Sequence, residues 1–368
     1  MALECMNRLR REIKHVICLT MENHSFDNIA GYWDYHPDID NLRNRPFCNE
    51  YTNPNWTVWG EPLNICAAPF ETEVPLVDPD HNFAGVTYQI YRKWNATNAD
   101  VPNMGGFIER QSEKYQATPG EAGSRNILAR QTLTVSLRRR VHHWVQDNAM
   151  DHLVHANDFY RDLEEGTLPT FSYINPECCS VDSMHPSSNM AAGEQMIKHL
   201  YDAVRRSKYW DNVLIILNFD EHGGFADHVP PPVNVPAPDD RITFDGESEG
   251  HPVKYDFTRL GVRVPAFLIS PWIQPNTLIH DDGTMYAPDS AYTHSSILHF
   301  LQELWGLEGL NNRVQWAKTF EHVFGDLRRV DTPVTLETPT WYGSSWEPKP
   351  VAYALLNQDE SYYKSRQG

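Results

Sequence analysis

Four short, nearly continuous apolar runs punctuate the chain, at residues 13–20, 170–174, 213–219 and 265–270. Runs of this length, bounded by polar and turn-forming residues, predict strands covered on both faces, as in a mostly parallel sheet. Residues 191–206, between the second and third runs, place Met196, Ile197, Leu200 and Val204 at helical spacing. A helix between two such strands is a crossover arrangement. A second amphipathic helix is predicted over 295–305. Segments 34–80 and 230–262 are rich in Pro, Asn and Asp and predict long loops at a site edge. No internal repeats occur. The pattern predicts one α/β domain over 1–330, then an irregular tail over 331–368.

Two of the predicted strands end alike. The run at 213–217 leads into Asn218-Phe219-Asp220-Glu221-His222-Gly223-Gly224, and later Asp227-His228-Val229-Pro230-Pro231-Pro232. Hard oxygen ligands and an imidazole at a strand's carboxyl end stand where open α/β sheets bind ligands. The glycines allow a sharp turn and a close backbone approach. The plain alternative is a surface loop with incidental acids. The run at 13–20 leads into Met21-Glu22-Asn23-His24-Ser25-Phe26-Asp27. Glu22 and Asn23 could give two oxygens to a hard cation. They could equally open a helix, since Asn and Ser are strong caps.

Together these motifs resemble the phosphoesterase family of phospholipase C and acid phosphatase enzymes, known from bacteria, fungi and plants. Asp78-Pro79-Asp80-His81 is similar to its early histidine motif, and the stretch from Asp182 to Pro186, with His185, to its middle one. Tyr292-Thr293-His294-Ser295-Ser296 and Trp316-Ala317-Lys318-Thr319-Phe320 resemble its later signatures. The resemblance spans roughly residues 12 to 110 and 157 to 322 and implies an alkaline-phosphatase-like fold. It further implies a divalent metal ion, of unknown identity, held by Glu22, Asn23, Asp220 and Glu221. His81 and His185 would face the phosphoryl oxygens. His222 is a further candidate, as catalytic group, ligand or neighbour of a ligand; His228 would orient a carboxylate or cap a turn. The implied activity is hydrolysis of phosphate esters through a covalent phospho-enzyme. Cations and imidazolium donors stabilise the charge on a transferring phosphoryl group, and histidine can protonate a leaving alkoxide near neutral pH.

One part of the family pattern is missing. The family's nucleophile is a Ser or Thr in a Thr-x-Pro-Asn-Arg-like segment between the early and middle histidines. Here residues 108–156 are shorter than expected and carry a basic patch, Arg138-Arg139-Arg140, in an acidic chain. Either an exon was lost or misread, which is the preferred explanation, or the region is a genuine rewrite. Thr118, Ser124, Thr132, Thr134 and Ser136 lie in the right part of the chain. Ser124 stands beside Arg125, whose guanidinium could grip a phosphate, but each is otherwise a solvated loop hydroxyl. Ser25, within one helical turn of Glu22-Asn23, is a tempting nucleophile but reads as a cap or as a residue supporting the ligands from behind. The nucleophile is therefore unassigned, and a non-catalytic relative that keeps the metal corner is the alternative reading. Sulfate ester chemistry is disfavoured because no Cys-x-Pro-x-Arg segment occurs.

Composition narrows the partners. The net charge of −18 and isoelectric point of about 5.3 argue against nucleic acid. No apolar run approaches the roughly 18–20 residues needed to span a bilayer. A phospholipid substrate would therefore be met by transient contact with a membrane surface, helped by some of the 11 Trp and 17 Tyr. Oligomeric state is not legible. None of the six cysteines shows zinc-site spacing; Cys48 and Cys66 could close a loop by a disulfide, Cys18 predicts a buried thiol, and the vicinal Cys178-Cys179 pair has no explanation. The sequons at Asn55 and Asn95 fit an extracellular loop region. The first 11 residues lack the apolar core of a signal peptide, so a secreted location is an expectation resting on the cysteines and sequons.

Overall fold

The structure, a computed structural model, describes residues 2–43, 45–51, 63–69, 78–115, 152–176, 182–186, 188–281, 285–286 and 288–340. The substitute hydroxyls between 118 and 136, the Cys178-Cys179 pair and the Asn55 sequon lie outside the described residues.

The apolar runs form the sheet as expected. Strands β1 (His15–Met21), β4 (Phe171–Ile174), β5 (Val213–Phe219) and β8 (Ala266–Ile269) lie in the order β4-β1-β5-β8. The first two pairings are parallel and the last antiparallel, so the fold is α/β with a mostly parallel central sheet flanked by helices.

All seven residues of β5 are buried, which explains why its sequence does not alternate. Side chains on β1 sort strictly by parity. Ile17, Leu19 and Met21 join Ile215 and Leu217 against α5 (Ala156–Glu165) and α6 (Met190–Arg206). Val16 and Cys18 join Leu214 and Ile216 on the other face, against α1 (Ala2–Glu12) and α7 (His294–Trp305). Each fully buried Leu or Ile contributes about 1.5–3 kcal/mol, so this two-sided packing fixes strand order and register firmly. The predicted helices at 191–206 and 295–305 are α6 and α7, each within one residue of expectation at its start.

The two predicted long loops are corrected. Segment 34–80 contains an antiparallel pair, β2 (Cys48–Tyr51) with β3 (Leu63–Cys66), closed by the Cys48–Cys66 disulfide. Segment 230–262 contains a second hairpin, β6 (Phe244–Ser248) with β7 (His251–Tyr255). Four of the five residues of β6 are exposed, so no apolar run marked it. Helices α3 (Phe83–Tyr91) and α4 (Phe107–Tyr115) lie beside these hairpins. Beyond Val330 the described chain carries no helix or strand, and Thr335 and Leu336 hydrogen-bond to Asp202 on α6.

Candidate metal and phosphoryl site

Parallel pairing of β1 with β5 runs in register to Met21 opposite Phe219. The residues that follow, Glu22-Asn23 and Asp220-Glu221, therefore leave the sheet side by side. Backbone hydrogen bonds carry the pairing past the strands. Asp220 N–H donates to the Met21 carbonyl at 3.0 Å, and His24 N–H to the Glu221 carbonyl at 3.1 Å. Asn23 N–H donates to Asp220 Oδ1 at 3.0 Å. Asn23 has a positive φ of 61°, a left-handed turn that Asn tolerates better than most residues. Gly223, with φ of 63°, lies under it, and a Cβ there would sit 2.2 Å from the Asn23 carbonyl oxygen. The glycine is required twice over, by conformation and by space.

Two further loops are drawn onto this corner. Glu22 N–H donates to the Ser183 carbonyl at 2.8 Å, and His24 Nε2 lies 2.9 Å from the Met184 carbonyl. These contacts dock the loop that ends in His185, a ring only 9% exposed. His24 is fully buried between Phe219 and Phe225, and burial lowers its pKa to about 4. It is a tether for the loop, not a proton carrier at neutral pH. The second loop carries Asp78 and His81. Asn23 Nδ2 approaches Asp78 Oδ1 at 3.5 Å. His81 Nδ1 meets the Pro79 carbonyl at 2.7 Å, and its Nε2 lies 3.9 Å from Glu221 Oε1.

The loop is anchored from behind. Asp80 is buried, and its carboxylate accepts from Arg110 Nε and Lys114 Nζ, both at 2.6 Å. Glu249, from the turn of the second hairpin, also pairs with both cations. These contacts hold the Asp80 carboxylate in place and so fix where His81 can reach.

The electrostatics divide the acids. Burial opposes a charge on Glu221, but His222, the nearby His81 charge and the Gly223 N–H outweigh it and hold its pKa at about 2. Asp220 stands at the solvent edge, yet partial burial and then the Glu221 charge raise its pKa above the ordinary Asp value. Burial likewise raises that of Asp78. Burial would depress His81, but Glu221 and Asp78 more than reverse this and raise its pKa. The corner is thus an excess of carboxylates around one imidazole, a field that favours a cation.

The donor set suits a hard divalent ion by its chemistry, although among the described residues only Asp27, Asp227 and His228 already lie within ligating distance of one another. Glu22, Asn23, Asp220 and Glu221 all offer oxygen, and Glu221 Oε1 is buried with no hydrogen-bond partner. An orphaned carboxylate oxygen is costly unless something positive faces it.

Comparison with known proteins identifies the family. The phosphoesterase family matches residues 131–308. Non-specific phospholipase C1 of Arabidopsis thaliana is 30% identical over 422 aligned positions, covering 90% of this chain and 74% of that protein. The chain belongs to the phosphoesterase family. By descent it is a phosphoric ester hydrolase. Non-specific phospholipase C4 of the same plant is 42% identical over a shorter stretch, 49% of this chain and 34% of the relative. Hemolytic phospholipase C of Pseudomonas aeruginosa is 31% identical over 45% of this chain and 21% of the relative.

Within this phosphoesterase, the predicted residues do not all gather at one point. Glu22, Asn23, Asp220, Glu221, His81 and the His185 loop converge on the ends of β1 and β5. His222 is buried, with Nε2 3.2 Å from Gln89 Oε1 and Nδ1 3.5 Å from Glu221 Oε2. His228 belongs to a separate cluster. Its Nδ1 is 2.7 Å from Asp27 Oδ2 and its Nε2 3.2 Å from Asp40 Oδ1. Asp27, Asp227 and His228 have the spacing of a metal site, but Arg263 fills it, reaching Asp227 at 3.0 Å and Asp27 at 3.2 Å. A cation there would have to displace the guanidinium, so the cluster reads as an ion-pair clasp between α2 (Phe26–Ala30) and the loop after Gly224.

Ser25 caps α2, accepting from Asn28 N–H, as its position beside Asn23 suggested. His294, at the start of α7, meets the Phe219 carbonyl at 2.6 Å and steadies the strand end just before Asp220. Sequence reasoning gave Asp78 no role, although it begins the early histidine motif. It missed Gln89 and Arg263 altogether. A single amide within the apolar α3 is the faint mark Gln89 leaves; Arg263 leaves none.

Proposed function

We propose that this chain hydrolyses phosphate esters at a divalent cation held by Glu22, Asn23, Asp220 and Glu221. The observation that carries the proposal is the pairing of the two strand ends, Glu22-Asn23 beside Asp220-Glu221, with the orphaned Glu221 Oε1 between His81 and the corner. When bound, the ion supplies positive charge to the phosphoryl oxygens. The rest is done by side chains. His81, its Nδ1 fixed on the Pro79 carbonyl, presents Nε2 to the corner. Its raised pKa keeps a proton available there, suited to a leaving alkoxide or a phosphoryl oxygen. We assign His185, whose loop docks on Glu22 and His24, the role of a second donor to the phosphoryl group.

We assign the reaction to a phospho-enzyme formed on a hydroxyl of region 108–156, and the substrate to phosphoesters of the phospholipid class. The names of the relatives support the substrate class. The Cys48–Cys66 disulfide supports an oxidising, extracellular setting.

A second reading has its own support. The alignment with phospholipase C1 runs to 422 positions, more than the 368 residues of this chain. That relative therefore carries internal residues with no counterpart here. If those include the nucleophile, the chain binds metal and phosphate without turnover. Hydrolysis of p-nitrophenyl phosphate and of phosphatidylcholine vesicles, with and without added divalent ion, separates the two. Turnover that disappears in Asp220→Asn supports the enzyme; metal binding with no turnover supports the non-catalytic relative; turnover unchanged in Asp220→Asn removes the site assignment.

A further inference from the structure

We propose that Gln89 is a positioning residue that acts through His222 to aim the free oxygen of Glu221 into the cation corner. The inference rests on the assignment of Glu221 as a ligand. Gln89 sits in α3 with none of its surface exposed, an amide among apolar neighbours. Burying an amide is costly unless both of its ends are bonded, and here both are. Its nitrogen donates to the backbone carbonyl of Asp80, the residue before His81. A carbonyl can only accept, so this bond fixes which end of the amide is which. The amide oxygen is left facing His222 Nε2 at 3.2 Å. That oxygen also only accepts, so His222 carries a hydrogen on Nε2.

The ring is then fixed with Nδ1 toward Glu221 Oε2, 3.5 Å away. The same carboxylate oxygen accepts the Gly223 N–H at 2.9 Å. Glu221 Oε2 thus accepts from the Gly223 N–H and abuts the edge of the His222 ring, which leaves Oε1 as the oxygen with no hydrogen-bond partner. Oε1 points to the His81 side of the corner, 3.9 Å from Nε2. One buried amide therefore couples the placement of the His81 loop to the orientation of a ligand carboxylate. Partners that orient ligands in this way change metal affinity about 10- to 100-fold when removed.

Calorimetric titration of the full chain with Mn2+, an ion that takes oxygen ligands, tests the chain of contacts. Gln89→Met keeps the volume and loses both hydrogen bonds. It is expected to weaken Mn2+ binding about tenfold, with His222→Asn similar. The double variant should be no weaker than the weaker single one, because both changes break one relay. Unchanged affinity in Gln89→Met, or losses that multiply in the double variant, overturns the proposal. Glu221→Gln is the control for the underlying assignment. If it binds Mn2+ like the unsubstituted chain, the ligand assignment falls and the Gln89 role with it. If it loses binding while Gln89→Met does not, only the Gln89 role falls. Should Gln89→Met not fold, nitrogen-15 NMR of the His222 ring in the unsubstituted chain decides: a hydrogen on Nε2 supports the relay and a bare Nε2 overturns it.

Discussion

Asn23 and Asp220 are joined across two strand ends by a backbone N–H to carboxylate hydrogen bond of 3.0 Å. The bond spans 197 residues of sequence, and it welds the two acidic motifs into one corner. It also leaves Asp220 with only part of its hydrogen-bonding capacity used, since Glu221 N–H converges on the same Oδ1 atom. The second oxygen is the one able to serve a ligand.

Asp220→Asn separates those two jobs. The amide oxygen can still accept from Asn23 and Glu221, so the corner should keep its shape. Because protein crowding and the Glu221 charge raise the Asp220 pKa, removing the charge relieves repulsion, and the metal-free Tm should stay level or rise. Divalent affinity should fall by more than about a hundredfold, beyond the range of changes around an intact ligand set. Calorimetry and thermal melting, run on the same preparation, check both halves.

Gly223→Ala tests the backbone side of the corner. The new Cβ would need a positive φ, which costs about 1–2 kcal/mol for an L-residue, and would stand 2.2 Å from the Asn23 carbonyl oxygen. The loop must shift, and with it the Gly223 N–H that holds Glu221 Oε2. The expected variant is folded, modestly less stable, and impaired in divalent binding. Wild-type binding by this variant would show that the corner tolerates movement and is not held by close contact.

Much of this was legible in sequence because its cause is local. Residues 213–219 are apolar without alternation because both faces of β5 are buried, and a run ending in Asp-Glu-His announces itself. That the two strand ends are neighbours came only through resemblance, since strand order depends on contacts between residues about 200 positions apart. The hairpins were missed for a different reason. Phe244–Ser248 is exposed at four of five positions and contains a glycine, so neither period nor propensity marks it. Arg263 and Gln89 act through a few tertiary contacts, which leave almost no pattern to read.

Arg263 should be more than a surface charge. It pairs with Asp227, none of whose surface is exposed, and with Asp27, and it stacks over Phe26 at 4.5 Å. Arg263→Met leaves two carboxylates facing each other in the interior. Removing one partner of a buried pair costs about 3–5 kcal/mol. Asp227→Asn with Arg263→Met should recover part of this loss, since the uncompensated charge is removed as well. Denaturant unfolding of the single and double variants measures the difference.

The clasp also predicts a pH dependence with a definite sign. His228 contacts Asp27 and Asp40, with Asp227 and Arg263 close by. Burial opposes its charge and Arg263 repels it, but the hydrogen bond and charge of Asp27, with that of Asp227, win and raise its pKa above 6.5. A group whose pKa is raised on folding stabilises fully below its unfolded value, and that stability fades as pH rises through the folded value. His24 acts in the opposite direction: held neutral, with its pKa lowered from 6.5 to about 4, it costs stability as pH falls through that interval. Metal-free unfolding free energy should therefore decline on both sides of a maximum near the ordinary histidine range. His228→Gln should flatten part of the alkaline limb, the remainder belonging to His81, and leave the acid limb in place, whereas His24→Gln should flatten the acid limb and leave the alkaline one. An alkaline limb unchanged by His228→Gln would show that the raised pKa of His228 contributes nothing to folding, and that the clasp rests on Arg263 alone.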